Sequence, residues 1–171
     1  GISWEFASPY FGSQRDNDIE INFSKFISRN KFYIPMFDKK FVLAFSASMG
    51  IQENYSREKK VTSDGDVESI GYIPSIKVFR LDGYDLVRGY SDSEINRLEN
   101  GEDITERRIE GKAYFANFKF EPRYYVSDTL VMGPFFDAGR LYVNNFEPTK
   151  LRTSAGLTFK ILTPVGTLDF D

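Results

Sequence analysis

The feature that most constrains the fold is a hydrophobic period of two, repeated along the chain. In "FVLAFSASMGIQ", Phe41, Leu43, Phe45, Ala47, Met49 and Ile51 share one face, and Val42, Ala44, Ser46, Ser48, Gly50 and Gln52 share the other. Successive side chains of a strand point to opposite faces, so this alternation specifies a strand with one apolar side. "AYFANFKFEPRYY" places Tyr114, Ala116, Phe118, Phe120 and Tyr124 against Phe115, Asn117, Lys119, Glu121 and Arg123. "RTSAGLTFKI" sets Ala155, Leu157, Phe159 and Ile161 against Arg152, Ser154, Gly156, Thr158 and Lys160. "ISWEFAS" sets Ile2, Trp4 and Phe6 against Ser3, Glu5 and Ala7. "LVMGPFFDAGRLY" sets Leu130, Met132 and Phe136 against Val131, Phe135, Asp137 and Gly139. "GTLDFD" puts Leu168 and Phe170 outside and Thr167, Asp169 and Asp171 inside. "DIEINFSKFI" places Ile19, Ile21 and Phe23 opposite Glu20, Asn22 and Ser24, then loses phase near Lys25, where a bulge is expected.

These seven strand candidates, with no long helix, describe an all-β chain. A soluble sandwich alternates in the same way, with the Phe/Tyr stripe as its core. The polar faces here, however, hold many small residues beside charges. The connections also sort by length. "PMFDKK", "VSDT" and "TPVG" are short, whereas "GSQRDN", residues 54–111 and "VNNFEPTK" are longer. Short turns at one rim and long loops at the other are the pattern of an outer-membrane barrel. No apolar run approaches the ~18 residues of a spanning helix, which a barrel does not need.

Composition narrows the chemistry. There is no histidine and no cysteine, which removes the commonest general base, the commonest metal ligand and any thiolate site. A net charge of −3 gives no support to a nucleic-acid surface. Asp169 and Asp171, two apart on one face, leave open a soluble enzyme with a carboxylate pair, against a plain lumen-lining role. Within residues 54–111, "SREKKVTSDGDVES" reads as a solvated, mobile tip. "SDSEINRLENGED" allows a helical turn or two, with Ser91 and Glu94 at capping-box spacing and Ile95 and Leu98 as anchors. Between them "IPSIKVFRLDGYDLVRGY" is apolar, aromatic and punctuated by Gly83 and Gly89, and so long a loop implies a use.

Here the chain resembles the outer-membrane assembly and secretion barrels: the BamA and TamA insertases, the two-partner secretion transporters and their organellar relatives. "FRLDGYDLVRGY", Phe79–Tyr90, is similar to the family's "fxLGGxxxVRGY" loop, with Asp82 replacing the first glycine of the pair. "GPFFDAGRLY" is similar to its "FFDxG" strand, and "LRTSAGLTFKILTPVGTLDFD" to its "lRxSxGxGxxxxtPxGplxfD" segment. "FGSQRDNDIEINFSKFISRNKFYIPMFDKKFVLAFSASMG" is similar to the looser upstream motif. These four motifs, in order, cover almost the whole chain.

The resemblance implies an antiparallel transmembrane β-barrel, with residues 1–171 as the C-terminal part of the barrel domain and 54–111 as an extracellular or lumenal loop. About seven of roughly sixteen strands would be present, the rest coming from residues outside this sequence or from another chain. It implies that the motif Val87, Arg88, Gly89 and Tyr90 folds into the lumen, where Arg88 pairs with Asp137. Glu121 is the second acidic partner, with Lys119 as the alternative occupant of that slot. The sets Ile19/Phe23, Leu43/Phe45, Phe118/Phe120 and Leu157/Phe159 are expected to face lipid. The function implied is a non-enzymatic insertase of the bacterial outer membrane that folds or inserts β-barrel clients at a lateral seam, without cofactor or metal. The alternative is a two-partner secretion pore, and an organellar outer membrane is the alternative location. The implied partners are membrane lipid, unfolded outer-membrane clients, periplasmic chaperones or assembly lipoproteins, and POTRA modules outside this sequence.

Overall fold

The computed structural model describes the chain except residues 9, 11–18, 38–39, 63–64, 72, 83–85, 99–100, 102–103, 105–108, 145–149 and 171. For residues 58–70 only the backbone is described. Gly83, Tyr84, Asp171 and all of "GSQRDN" therefore lie outside the described residues.

Seven strands form one antiparallel sheet in the order β1-β3-β4-β7-β8-β9-β10. They are β1 (Ile2–Ala7), β3 (Phe23–Met36), β4 (Phe41–Asn54), β7 (Lys112–Tyr125), β8 (Leu130–Val143), β9 (Arg152–Thr163) and β10 (Gly166–Phe170). The sheet is open, with β1 and β10 at its two edges. The turns after β3, β7 and β9 are short and lie at one rim, while the connections after β1, β4 and β8 lie at the other. Among the described residues no helix is long and apolar enough to cross a membrane, which says nothing of strands.

The alternation sorts the sheet into two chemically different faces. Trp4, Phe45, Phe120, Leu157 and Phe159 are exposed on the outer face, Trp4 at 76% and Leu157 at 63%. Gln52, Asn117, Glu121, Asp137, Thr158 and Lys160 are buried on the inner one. A soluble sandwich would do the reverse, covering its apolar face and wetting its polar one. On β7 the outward aromatics run from Tyr114 to Tyr124. That is ~33 Å of strand at about 3.3 Å per residue. Tilted by about 40°, it spans ~25 Å, the height of the apolar band of an outer-membrane barrel.

The phase of β3 departs from the sequence reading. Its register with β4 runs unbroken from Phe23↔Asn54 to Met36↔Phe41, so there is no bulge near Lys25. The break lies at Asn22, whose N–H donates to Ser56 Oγ (2.9 Å) and whose carbonyl accepts from that same hydroxyl (3.0 Å). A side chain thus takes the place of a ladder partner just before β3 begins. Phe23 points inward and is 1% exposed, not toward lipid. Ile19 does not belong to this sheet at all. It lies in β2 (Ile19–Glu20), which pairs with β5 (Arg57–Thr62), and β5 pairs with β6 (Gly65–Ile70). The segment read as a mobile tip is this β5–β6 hairpin.

The helical turn is α1 (Asp92–Ile95), capped by Ser91. The Glu94 carboxylate accepts from the Ser91 N–H (2.9 Å) and hydroxyl (2.7 Å), which holds its pKa below the ordinary carboxylate value. Its proton is therefore bound less readily in the folded loop than in an unfolded chain. The cap stands at full strength above the ordinary glutamate pKa and is lost as pH falls through the lowered one. Ser91→Ala removes the hydroxyl limb. Amide exchange at Ile95 and Asn96 should rise roughly fivefold at neutral pH, the effect of losing a cap worth about 1 kcal/mol. The acid-induced rise expected of the parent should shrink.

Candidate functional site

The connection between β4 and β7 folds back onto the inner face as a small hydrophobic unit. Ile73, Val78, Phe79, Leu81, Val87, Ile95, Leu98, Ile104 and Ile109 pack against Phe23, Ala113, Phe115 and Leu141 of the wall. The wall is shaped to receive them. Gly50 lies opposite Phe115, and a Cβ there would collide with the ring, so the glycine lets that ring lie against the wall. Phe79 meets Phe115 edge to face with centroids 4.9 Å apart. Two polar clasps hold the unit. Lys25 Nζ (2.8 Å) and Gln52 Nε2 (3.0 Å) both donate to the Lys77 carbonyl. Buried Asn96 accepts from the Leu81 N–H (2.7 Å) and donates to the Leu81 carbonyl (3.0 Å), imitating a strand pair with its side chain.

Below this core the registers set inner residues in rows across the wall. One row reads Lys31, Ser46, Lys119, Asp137, Ser154, and the next, toward the short turns, Tyr33, Ala44, Glu121, Phe135, Gly156. The ladder omits the positions around Pro122 and Pro134, which have no N–H to give. A Cβ on Gly133 would strike the Pro122 carbonyl, so the strands still touch there.

Arg88 spans both rows. Its Nε donates to Asp137 Oδ2 and its Nη2 to Oδ1, each at 2.8 Å, a two-pronged grip that fixes the plane of the guanidinium. Its backbone N–H also reaches Oδ2 (3.2 Å), and Nη1 reaches Glu121 Oε2 (3.0 Å). The guanidinium carbon sits 3.7 Å from the centroid of the Phe135 ring, which in turn lies over Gly156, where a Cβ would come within 2.8 Å of it. Glycine, ring and arginine are thus stacked on the wall. Val87 fills the notch at Gly139, where a Cβ would meet its Cγ2 at 2.8 Å. Gly89 takes φ 81°, the left-handed region open to glycine, so the chain turns away directly after Arg88. Tyr90 closes the turn onto the Val87 carbonyl (3.2 Å) and donates its hydroxyl to the Thr153 carbonyl (3.1 Å).

The structure therefore brings Val87, Arg88, Gly89, Tyr90, Asp137 and Glu121 into one constellation. Lys119 faces Asp137 across the ladder, and Glu121, not Lys119, receives the second prong of Arg88. Asp169 is held by Lys160 (3.1 Å), and among the described residues no group of acidic side chains is arranged to hold a metal. Toward the short turns a cavity of about 470 Å³ opens beneath Leu86 and Arg88, lined by Tyr33, Ser46, Lys119 and Arg123 among others. The Arg88 constellation binds a loop and holds its direction.

The sequence matches the Omp85 superfamily domain over residues 2–171. The chain belongs to the Omp85 superfamily. No curated protein matches it. Omp85 proteins are β-barrels of the outer membrane, in the superfamily of outer-membrane insertases and transporters, and this chain's exposed aromatic band is the surface such a barrel turns to lipid.

Four contributors to the site went unread in the sequence. Asn96 gives no signal, because its partner Leu81 lies 15 residues away. Phe135 and Gly156 were placed on the inner face, but only their register shows them as a stack. Lys160 was read as one more polar wall residue, yet it touches both Glu121 (3.3 Å) and Asp169.

Proposed function

We propose that this Omp85 chain belongs to an assembly factor of the bacterial outer membrane, folding or inserting β-barrel clients at a lateral seam of the barrel. The observation that carries the reading is the packed loop on the inner face. A hydrophobic unit with two polar clasps and the Arg88 grip is a poor conduit for a passing polypeptide, since every transit would have to break it. An edge strand is different. A weakly paired strand at the seam of a barrel exposes backbone groups, and each such group costs several kcal/mol in lipid. An incoming strand relieves that cost by β-augmentation, with no cofactor and no covalent chemistry. Lipid, unfolded barrel clients and the periplasmic factors that deliver them are the partners this work requires.

The chain has no native cysteine, so single cysteines report cleanly. Ser46→Cys places a thiol on the inner wall. In the full-length barrel, cysteine pairs that seal the seam between first and last strands should stop client insertion, and a client carrying its own cysteine should not be trapped at residue 46. Insertion through a sealed seam, or trapping at 46, would overturn the reading in favour of a secretion pore.

A further inference from the structure

We propose that Lys160 is a positioning residue that couples the Arg88 grip to the pairing of β10 with β9, a role that goes beyond the reading of the chain as part of an assembly factor. The contacts form a chain. Arg88 Nη1 lies 3.0 Å from Glu121 Oε2, Lys160 Nζ lies 3.3 Å from Glu121 Oε1, and the same Nζ lies 3.1 Å from Asp169 Oδ2. The members sit on four elements: the loop, β7, β9 and β10. The side chains of Arg88, Glu121 and Lys160 are 15%, 9% and 10% exposed, so screening by water is weak along most of the chain.

Glu121 is the shared joint. Its Oε1 also accepts from Arg123 Nε (2.6 Å), so three cations divide one carboxylate. Asp137 is different, gripped by both prongs of Arg88 and by its backbone N–H. The grip thus has an anchored limb at Asp137 and an adjustable limb at Glu121. Asp169 sets the adjustment, because it takes part of the Lys160 charge. Asp169 pairs directly with Lys160 in the β9–β10 register. A slip of β10 by one residue would turn every β10 side chain to the other face and carry Asp169 to the lipid side. Lys160 would then hold Glu121 alone and compete with Arg88 for it. Loss of the native β9–β10 register would in this way loosen the loop, and by reciprocity loosening the loop must weaken β10.

The test is amide hydrogen exchange on the full chain in phospholipid vesicles. Arg88→Ala, or Arg88→Lys should the former not fold, is expected to speed exchange of the β10 amides, 166–170, by about tenfold, a coupling of ordinary size. In a Lys160→Met background the same change should have no further effect on β10, while Lys160→Arg restores the response. A spin label at exposed position 93 should become more mobile in Asp169→Asn. The proposal is overturned if β10 exchange ignores Arg88, or if the response survives intact in Lys160→Met. No client is present in this experiment, so its failure is distinct from a failure of the insertase reading.

Discussion

Arg88→Ala is expected to release the 55–111 connection from the wall while the seven-stranded sheet stays paired. The substitution removes both prongs to Asp137 and the prong to Glu121 in one step. What it leaves behind decides the size of the effect. Glu121 keeps Arg123 and Lys160, but Asp137, whose side chain is 0% exposed, loses the guanidinium that neutralises it. Stranding a buried charge costs ~3–5 kcal/mol. Arg88 is 15% exposed and borders a cavity open to water, which points to the lower end, about 3 kcal/mol. Arg88→Lys should recover only part of this, because an ammonium has no planar fork to engage both carboxylate oxygens. Glu121→Gln should cost less than Asp137→Ala, since it removes only the adjustable limb. The checks are limited proteolysis of the connection and heat-modifiable gel mobility of the barrel. Parent-like protection of the loop in Arg88→Ala would show that the apolar core holds it unaided.

That core and this grip were legible in the sequence to different degrees, for a physical reason. Strand faces are local properties, so period two alone assigned β4, β7, β8 and β9 to their sides. Phe23 failed because period two does not say which face meets lipid: Ile21, Phe23 and Ile27 alternate in phase and all pack against the loop core on the inner side. No local period encodes such a partner. The Arg88 contact with Asp137 joins residues 49 apart, and the sequence pointed to it only through its likeness to known motifs. The loop core was noticed as apolar but not as a packed unit, because Ile73, Phe79, Leu81 and Ile95 follow neither the helical nor the strand period. The hairpin at β5–β6 was masked by its charge. "REKKVT" looks solvated, yet β5 is paired on both sides and β6 on one, through backbone bonds that charged side chains leave open.

The faces themselves yield the other large effect. Phe32, Phe45, Phe120 and Phe136 occupy one row across β3, β4, β7 and β8 on the outer surface. Phe32 and Phe45 stack with centroids 6.3 Å apart. On β4 the outward apolar positions run from Phe41 to Ile51, which sets Phe45 near the middle of the lipid-facing band. Phe45→Lys should therefore lower membrane-integrated stability by ~2–4 kcal/mol, the cost of a lysine at the midplane, and Phe45→Glu by somewhat less. Ser46 is the matched control, one residue along and facing inward. Its cross-strand neighbours are Lys31 and Lys119, so a carboxylate is the charge to place there and a lysine would be repelled. Ser46→Glu should integrate as the parent does. Urea titration of vesicle-inserted protein reads the difference between the two glutamates directly. Equal midpoints for Phe45→Glu and Ser46→Glu would mean that the aromatic row does not meet lipid, and the sheet would then need another partner for that face.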